Sequence, residues 1–534
     1  MEGDENLIGA RFESDGYYGT IRFKGQVADT KGDWYGVEWD DPTRGKHDGA
    51  HGGTKYFTTS HPTSGSFLRP RKANLGISFM CALEERYGII DAELAAKINN
   101  DMFVVGHKQR TTVEVVGIEQ INKQQSKFDE LVSVALRGMC VNSPGKDGEI
   151  ARSIPNVEEL DLSSNLLSSW EDVARISQQL PKLTSLNVSS NRLMLPSNPS
   201  ALTAAFKNIK VIYLNRMNYT WNDVLRCCEM FPRLVELHAC FNNIASLGGL
   251  SDNLLGLKRL NLEHNALTSW AELLVAGQLP NLEELIVNDT GLEEVKFPDT
   301  TGRQKTKYFP RLTTLALSHN KIHSLESINE LGKLSSLSDL KISHNTLMEA
   351  VSKVTTVNPA TAQYTLWYLY IAKIGNLKRL NNTWVTSSDQ QGADLDYLKM
   401  FGQAWLKLLP GPSPEREQFN LAHPRYEELV QIYGPPGEAE CKQDSAALKN
   451  KLLSMNIDSP SLPDKAPIKK KLPVSMTVQK LKTLLSRIYK VSTISMTLTY
   501  TSQKMPNTEF EFENDQKEIG FYSVEDGDII HVKW

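Results

Sequence analysis

The chain has 534 residues, and at roughly 150 residues per domain it predicts three or four domains. It is 40% hydrophobic and 23% charged with a formal net charge of −4, which excludes wholesale disorder and gives no support for a nucleic-acid binder. No run of about 18 apolar residues occurs, and the acidic start MEGDENLIGA is unlike a secretory signal, so neither a membrane span nor export is expected. Six cysteines without a C-x-x-C pair predict reduced thiols in the cytosol.

Residues 1–75 are read as a small all-β domain. Of the 34 glycines, 13 fall within the first 80 residues. They punctuate short β-rich pieces, Gly19–Phe23, Trp34–Trp39 and Lys55–Phe57, as turns of a compact antiparallel sheet require. Residues 76–127 are a connector, with helical character at Ala82–Tyr87 and Asp91–Ile98 and a β-branched run at Thr111–Ile118.

From 128 to 387 an internal repeat dominates. Its frame is L-x-x-L-x-L-x-x-N-x-L, as in Leu183/Leu186/Val188/Asn191/Leu193 and Leu257/Leu260/Leu262/Asn265/Leu267. Nine frames begin at 131, 157, 183, 209, 234, 257, 282, 312 and 337, spaced 23 to 30 residues apart. Each would supply one short strand whose leucines turn inward, and no single repeat buries its apolar side without neighbours. The Asn should turn inward to satisfy backbone groups. Met139, Met217 and Thr290 interrupt that ladder. A degenerate unit, Leu366/Leu369/Ile371 then Leu377/Leu380, is expected to cap the α/β solenoid.

The residues between the leucines should face outward from the concave sheet. They run Glu159/Asp161, Ser185/Asn187, Val211/Tyr213, Glu236/His238, Arg259/Asn261, Glu284/Ile286 and Thr314/Ala316. Most are small and polar. At the centre, Tyr213 with Glu236, His238 and Arg259 has the composition of an interface anchor, an aromatic with a mixed-charge rim, although a tolerated surface Tyr would read the same way.

Residues 388–465 read as a helical, Pro-rich linker, with an amphipathic helix at Asp394–Leu409. Residues 466–534 carry a helical stripe over Thr477–Tyr489, strands at Ile494–Tyr500 and Phe510–Phe512, and a closing Asp526-Gly527-Asp528 turn before a last strand. This α+β order resembles the ubiquitin-like β-grasp. The chain stops at Trp534 without Gly-Gly, so a docking role is expected rather than conjugation.

No enzyme constellation is present in the sequence: there is no P-loop, H-E-x-x-H, G-x-S-x-G or dinucleotide fingerprint, and no metal site or cofactor is expected. The sharp motif lies at 16–72, with Trp34-Tyr35-Gly36-Val37-Glu38, Gly45-Lys46-His47-Asp48-Gly49, Tyr56-Phe57 and Gly65-Ser66-Phe67-Leu68-Arg69-Pro70. It resembles the glycine-rich cytoskeleton-associated (CAP-Gly) domain, whose members bind the acidic, aromatic-ended C-terminal tail of α-tubulin and similar tails. The resemblance implies that Gly45, Lys46, His47, Asp48 and Gly49 line a tail groove, that Trp34 and Phe67 form its apolar wall and that Arg69 forms its basic rim. Carboxylates want Lys, Arg and backbone N–H donors, and a tail aromatic wants a pocket between rings. The same two rings would equally serve as the core of a small domain. The chain departs from the family pattern at His47, where many members have Asn, and at Asp29, where many have an aromatic. Asp29 would repel an acidic tail if it faced the groove.

The ordered trio of CAP-Gly domain, leucine-rich solenoid and ubiquitin-like domain resembles the tubulin-specific chaperone E (tubulin folding cofactor E) family. That resemblance implies a non-enzymatic, cytoplasmic, cytoskeleton-associated chaperone that captures α-tubulin. Its implied partners are tubulin-specific chaperones D and C, with B for heterodimer dissociation, and the proteasome through the ubiquitin-like domain. The alternatives are a microtubule-binding scaffold, which would usually carry a heptad coiled coil absent here, and a proteasome adaptor.

Overall fold

The computed structural model describes residues 7–88, 103–106, 109–112, 126–354, 359–408, 413–437, 452–462, 466–502, 505–512, 514–522, 524 and 526–534. The chain divides into two compact units, Met1–Leu398 with Leu408–Gly434, and Lys399–Lys407 with Pro435–Trp534.

The N-terminal domain is a four-stranded antiparallel sheet in chain order: Arg11–Ser14, Tyr17–Gln26, Asp33–Trp39 and Gly65–Leu68. One face packs the core, Phe12, Ile21, Tyr35, Val37 and Trp39. A bulge at Arg22 decides what the other face carries. Ile21 pairs with Val37, but Phe23 pairs with Gly36, so the extra residue turns Phe23 away from the core that holds Ile21. By alternation Trp34, Gly36, Phe67 and Arg69 lie on that same far face. Trp34 and Phe67 are therefore not the core of the domain, which is built without them.

The start of the predicted connector is the solenoid's N-terminal cap. Ile77–Ser78 pairs in parallel with Val141–Ser143, and Asn142 Nδ2 donates to the Leu75 carbonyl at 2.7 Å. Helix Phe79–Tyr87 follows, N-capped by Ser78, and buries Phe79, Met80, Ala82 and Leu83. Asp91–Ile98 lies outside the described residues, as does most of Thr111–Ile118, of which only the end of a short strand, Gln109–Thr112, is described.

The solenoid strands form one sheet in sequence order, ten of them parallel, from Ser133–Ala135 to Arg379–Leu380, with Thr383–Trp384 closing it antiparallel. Each predicted frame lands in register. Leu186 pairs with Leu160 and Ile212, and Leu260 with Leu237 and Leu285, every one buried. A one-residue slip would put all of these leucines in water, which fixes the register. The Asn ladder behaves as its chemistry requires. Asn265 Nδ2 donates to the Ala239 and Leu262 carbonyls at 2.9 Å, while its Oδ1 accepts from the Asn242 and Ile244 amides at 3.1 and 3.0 Å. At the gap left by Thr290, the hydroxyl reaches the Val287 carbonyl at 3.2 Å, and Asn320 Oδ1 serves the amides of Thr290, Gly291 and Leu292.

Two expectations change at the solenoid's end. Leu366, Leu369 and Ile371 lie in a helix, Pro359–Ile374, and the last parallel strand is Arg379–Leu380. The spacing of those apolar residues fits a buried helix face as well as a strand, and length decides. The predicted linker is folded at its start, with helices Ser387–Lys407, Pro414–Ala422 and Tyr426–Tyr433. Tyr426 is fully buried and donates to the Leu398 carbonyl at 2.7 Å.

The C-terminal domain is a five-stranded sheet in the order Ile468–Pro473, Leu452–Asp458, Ile529–Lys533, Thr497–Ser502, Met505–Glu511. Helix Val478–Tyr489 packs Val478, Leu481 and Leu485 with Ile530 and Val532, as its apolar stripe predicts. The strand Leu452–Asp458 corrects the boundary at 466. It lies inside the sheet, antiparallel to Ile468–Pro473 and parallel to Ile529–Lys533. The Asp526-Gly527-Asp528 turn docks on it: Ser454 N donates to Asp526 Oδ1 at 2.6 Å, and Gly527 N to the Ser454 carbonyl at 2.9 Å. A fragment of residues 450–534 is therefore expected to fold alone and one of 466–534 to lack a cooperative transition. Amide dispersion of the two fragments checks this, and a folded 466–534 would refute the assignment of that strand.

Candidate peptide-binding groove

On the far face of the N-terminal sheet, Phe23, Gly36 and Phe67 lie side by side across three strands. Residues 45–57 fold back over them. Phe67 becomes a hub, with ring centroids of His47 at 5.1 Å, Tyr56 at 5.4 Å, Phe57 at 5.6 Å, His51 at 6.0 Å and Phe23 at 6.5 Å. Phe57 is buried under this layer, whereas Phe67, Tyr56 and Phe23 stay half-buried, so part of the ring surface remains open to a ligand. Gly36 is required here because a Cβ would overlap the Phe57 ring.

The Gly45–Gly49 loop is held by backbone. Lys46 N and His47 N donate to the Gly65 carbonyl at 2.7 and 3.2 Å, and Gly65 N returns to the His47 carbonyl at 2.7 Å. Gly49 adopts φ +101°, and a side chain there would strike the Phe57 carbonyl. His47 Nδ1 accepts the Gly49 amide at 3.0 Å, which puts the ring proton on Nε2. Burial lowers the His47 pKa below the ordinary imidazole value, His51 and Lys55 add to this, and Asp48 opposes it. His47 is thus a neutral N–H donor beside the rings. Asp48 is occupied, pairing with Lys55 Nζ at 2.5 Å and accepting from Ala50 N at 3.3 Å. Lys46 is exposed and makes no side-chain hydrogen bond or ion pair among the described residues.

Trp34 and Arg69 stand next along the same face, as a pair. The Arg69 guanidinium lies 3.6 Å from the Trp34 ring centroid. Arg69 Nη1 also donates to the Lys31 and Asp33 carbonyls at 2.7 and 3.3 Å, and Trp34 Nε1 to Thr30 Oγ1 at 2.8 Å. This pair braces the 27–33 turn. Trp34 extends the apolar face beside Phe67, and the rings that pack on Phe67 are Phe23, His47, His51, Tyr56 and Phe57. Phe23 was illegible in sequence, because strict alternation from Ile21 would have buried it. Asp29 sits exposed in that turn at φ +63°, next to Ala28, whose amide donates to the Tyr56 hydroxyl at 2.8 Å.

The solenoid residues singled out by composition meet on its sheet. Tyr213 stacks on His238 at 4.2 Å and 13°. His238 Nε2 lies 2.7 Å from Glu236 Oε1, and Arg259 reaches Glu236 at 3.0 Å and Glu284 at 3.4 Å. Beside them runs a column of residues at the turn that follows each strand. The residue before the repeat Asn position is left-handed, with φ of 56° at Arg216, 58° at Phe241, 54° at His264 and 50° at Asp289. Each donates its amide to the next repeat, which holds the strained conformation in place. Along this edge Arg216 covers Phe241 at 3.8 Å, Phe241 stacks on His264 at 4.2 Å, and His264 pairs with Asp289 at 2.7 Å.

Residues 8–73 match the CAP-Gly domain family and residues 452–533 the ubiquitin-like domain family. With the repeat sheet between them, they make the chain a CAP-Gly protein of the leucine-rich-repeat, ubiquitin-like type. The chain is 46% identical to tubulin-specific chaperone E of Xenopus laevis, with 98% of each chain covered, and 42% identical to that of Homo sapiens, with 99% of each covered. It is 31% identical to that of Drosophila melanogaster over 98% of each. The chain belongs to the tubulin-specific chaperone E family.

Proposed function

We propose that this protein is a tubulin-folding chaperone that holds α-tubulin at two places, the acidic C-terminal tail in the N-terminal groove and the folded body on the solenoid. The observation that carries the tail contact is the juxtaposition of an unpaired Lys46 with the ring cluster around Phe67. A tail aromatic enters beside Phe67, the His47 Nε2–H donates to a carboxylate oxygen, and Lys46 supplies the charge. The Tyr213, Glu236, His238 and Arg259 network supplies a preorganised polar surface with an aromatic centre for the body. Two linked weak contacts raise effective affinity without either being tight. With tubulin-specific chaperones D and C such a grip serves assembly of the α/β heterodimer, and with B its dissociation, in the cytoplasm. The ubiquitin-like domain is a docking module, with the proteasome as its partner.

The test is titration of an acidic, aromatic-ended α-tubulin tail peptide into wild type and Lys46→Glu. Reversing an exposed charge is expected to weaken binding about tenfold or more, with the melting curve unchanged. Raised salt should weaken the wild type. Equal affinity in the variant would sink the tail assignment. For the body contact, Tyr213→Ala with Arg259→Ala should weaken binding to tubulin lacking its tail, and unchanged binding there removes the concave patch from the interface.

A further inference from the structure

At the C-terminal end of the solenoid a recess of about 300 Å³ opens between the loop at 302–305, the ends of helices Glu326–Leu331 and Pro359–Ile374, and helix Tyr426–Tyr433. Five cations line it, Arg303, Lys305, Lys333, Lys373 and Arg425, against one lining carboxylate, Glu428. Three are paired with acids: Arg303 with Glu428, Lys333 with Glu330 at 2.6 Å, and Arg425 with Asp394 at 3.4 Å. Among the described residues the other two hydrogen-bond to neutral oxygens, and Lys373 also faces the Tyr397 ring at 5.5 Å. Lys305 Nζ donates to the Gly332 carbonyl at 2.7 Å. Lys373 Nζ donates to Asn329 Oδ1 at 2.8 Å and the Ala422 carbonyl at 2.9 Å, with its side chain almost wholly buried.

Helix ends explain part of this arrangement. Gly332 terminates one helix, and Arg425 reaches the Ala372 carbonyl near the end of the other, where cations offset the dipole. That accounts for where the cations are anchored, yet an ammonium carries three donors, and Lys305 uses one of them. Burial lowers the Lys305 pKa, and Arg425 and Arg303 lower it further. Burial also brings Lys373 down to about 7. Glu428 and Glu326 act against these shifts, and by count the recess sets five lining cations against the three carboxylates that pair with them.

We propose that this recess is a binding site for a small phosphorylated anion, held by Lys305 and Arg303 at its mouth and by Arg425 and Lys373 deeper in. Tetrahedral phosphate oxygens accept from ammonium and guanidinium donors arriving from several directions, as these do from three separate elements. Among the described residues no aromatic ring lines the recess, so the aromatic end of an acidic peptide finds no partner there, in contrast to the N-terminal groove. Its volume is at the small end of ligand pockets, suited to a compact phosphate group rather than a chain. Linear polyphosphates and cyclic polyol phosphates share this chemistry.

The experiment titrates the full chain calorimetrically with inorganic pyrophosphate in one arm and inositol hexakisphosphate in the other. Saturable binding of at least one probe is expected, and the tighter arm identifies the linear or the cyclic source. Arg303→Ala with Lys305→Ala should weaken that binding at least about tenfold, and Lys305→Gln, which keeps a donor to Gly332, should weaken it less. Lys46→Glu should leave it unchanged. The proposal is overturned if neither probe binds below about 1 mM, if the double variant binds as wild type, or if Lys46→Glu removes binding. Should the double variant fold poorly, the Lys305→Gln affinity decides alone, and equality with wild type overturns the site.

Discussion

Leu262→Ala is expected to cost the solenoid about 2–5 kcal/mol. Leu262 is fully buried in a middle repeat, its amide donates to the Ile286 carbonyl at 2.8 Å, and its carbonyl receives Asn265 Nδ2. Shortening the side chain removes its transfer energy and leaves a cavity that neighbours held by the Asn ladder cannot collapse to fill. Stability in a stack is carried by the interfaces between repeats, so the loss should spread into both neighbours. Three domains in one chain will not melt as one transition. Amide exchange read over residues 236–290 is the appropriate measurement, with Leu255→Ala, at a side chain 48% exposed, as the control expected within about 0.5 kcal/mol. Equal effects at the two positions would mean that the repeat frame is misplaced.

Gly49→Ala is expected to remove the groove rather than tune it. The added Cβ meets the Phe57 carbonyl, and φ of +101° is unfavourable for any side chain. Overpacking costs about 1–3 kcal/mol and the left-handed backbone about 1–2 kcal/mol more. The loop must move, and with it the Gly49 carbonyl that accepts from Tyr56 and Phe57 and the Gly49 amide that fixes the His47 tautomer. Tail-peptide binding and local stability should fall together. Lys46→Glu loses binding alone, and that contrast separates shape from charge. A Gly49→Ala variant with wild-type melting and wild-type affinity would contradict the loop geometry described above.

The repeat was legible in sequence because its signal is local and periodic. Beyond Leu131, each leucine of the frame is buried for the same reason as its counterpart 23 to 30 residues away, so position alone predicts burial and register. The Gly45–Gly49 loop was legible through its motif, and its His47 ring lies 5.1 Å from that of Phe67. The last helix was legible from its stripe. Other features depend on partners distant in the chain. Phe23 faces the groove only because Arg22 bulges against a strand formed by later residues. Leu452–Asp458 alternates too briefly to stand out, and becomes a strand because residues 529–533 return beside it. Helices Pro414–Ala422, polar in composition, and Tyr426–Tyr433, only eight residues long, are held by a few long-range contacts such as Lys373 to Ala422 and Tyr426 to Leu398. The sequence by itself determined the periodic elements, the solenoid strands and the last helix, and which faces they bury, since periodicity and turn chemistry are properties of neighbouring residues. The tertiary structure alone decided which cations and rings converge on the groove and the recess, since convergence is set by chain closure over tens of residues and leaves no periodic trace.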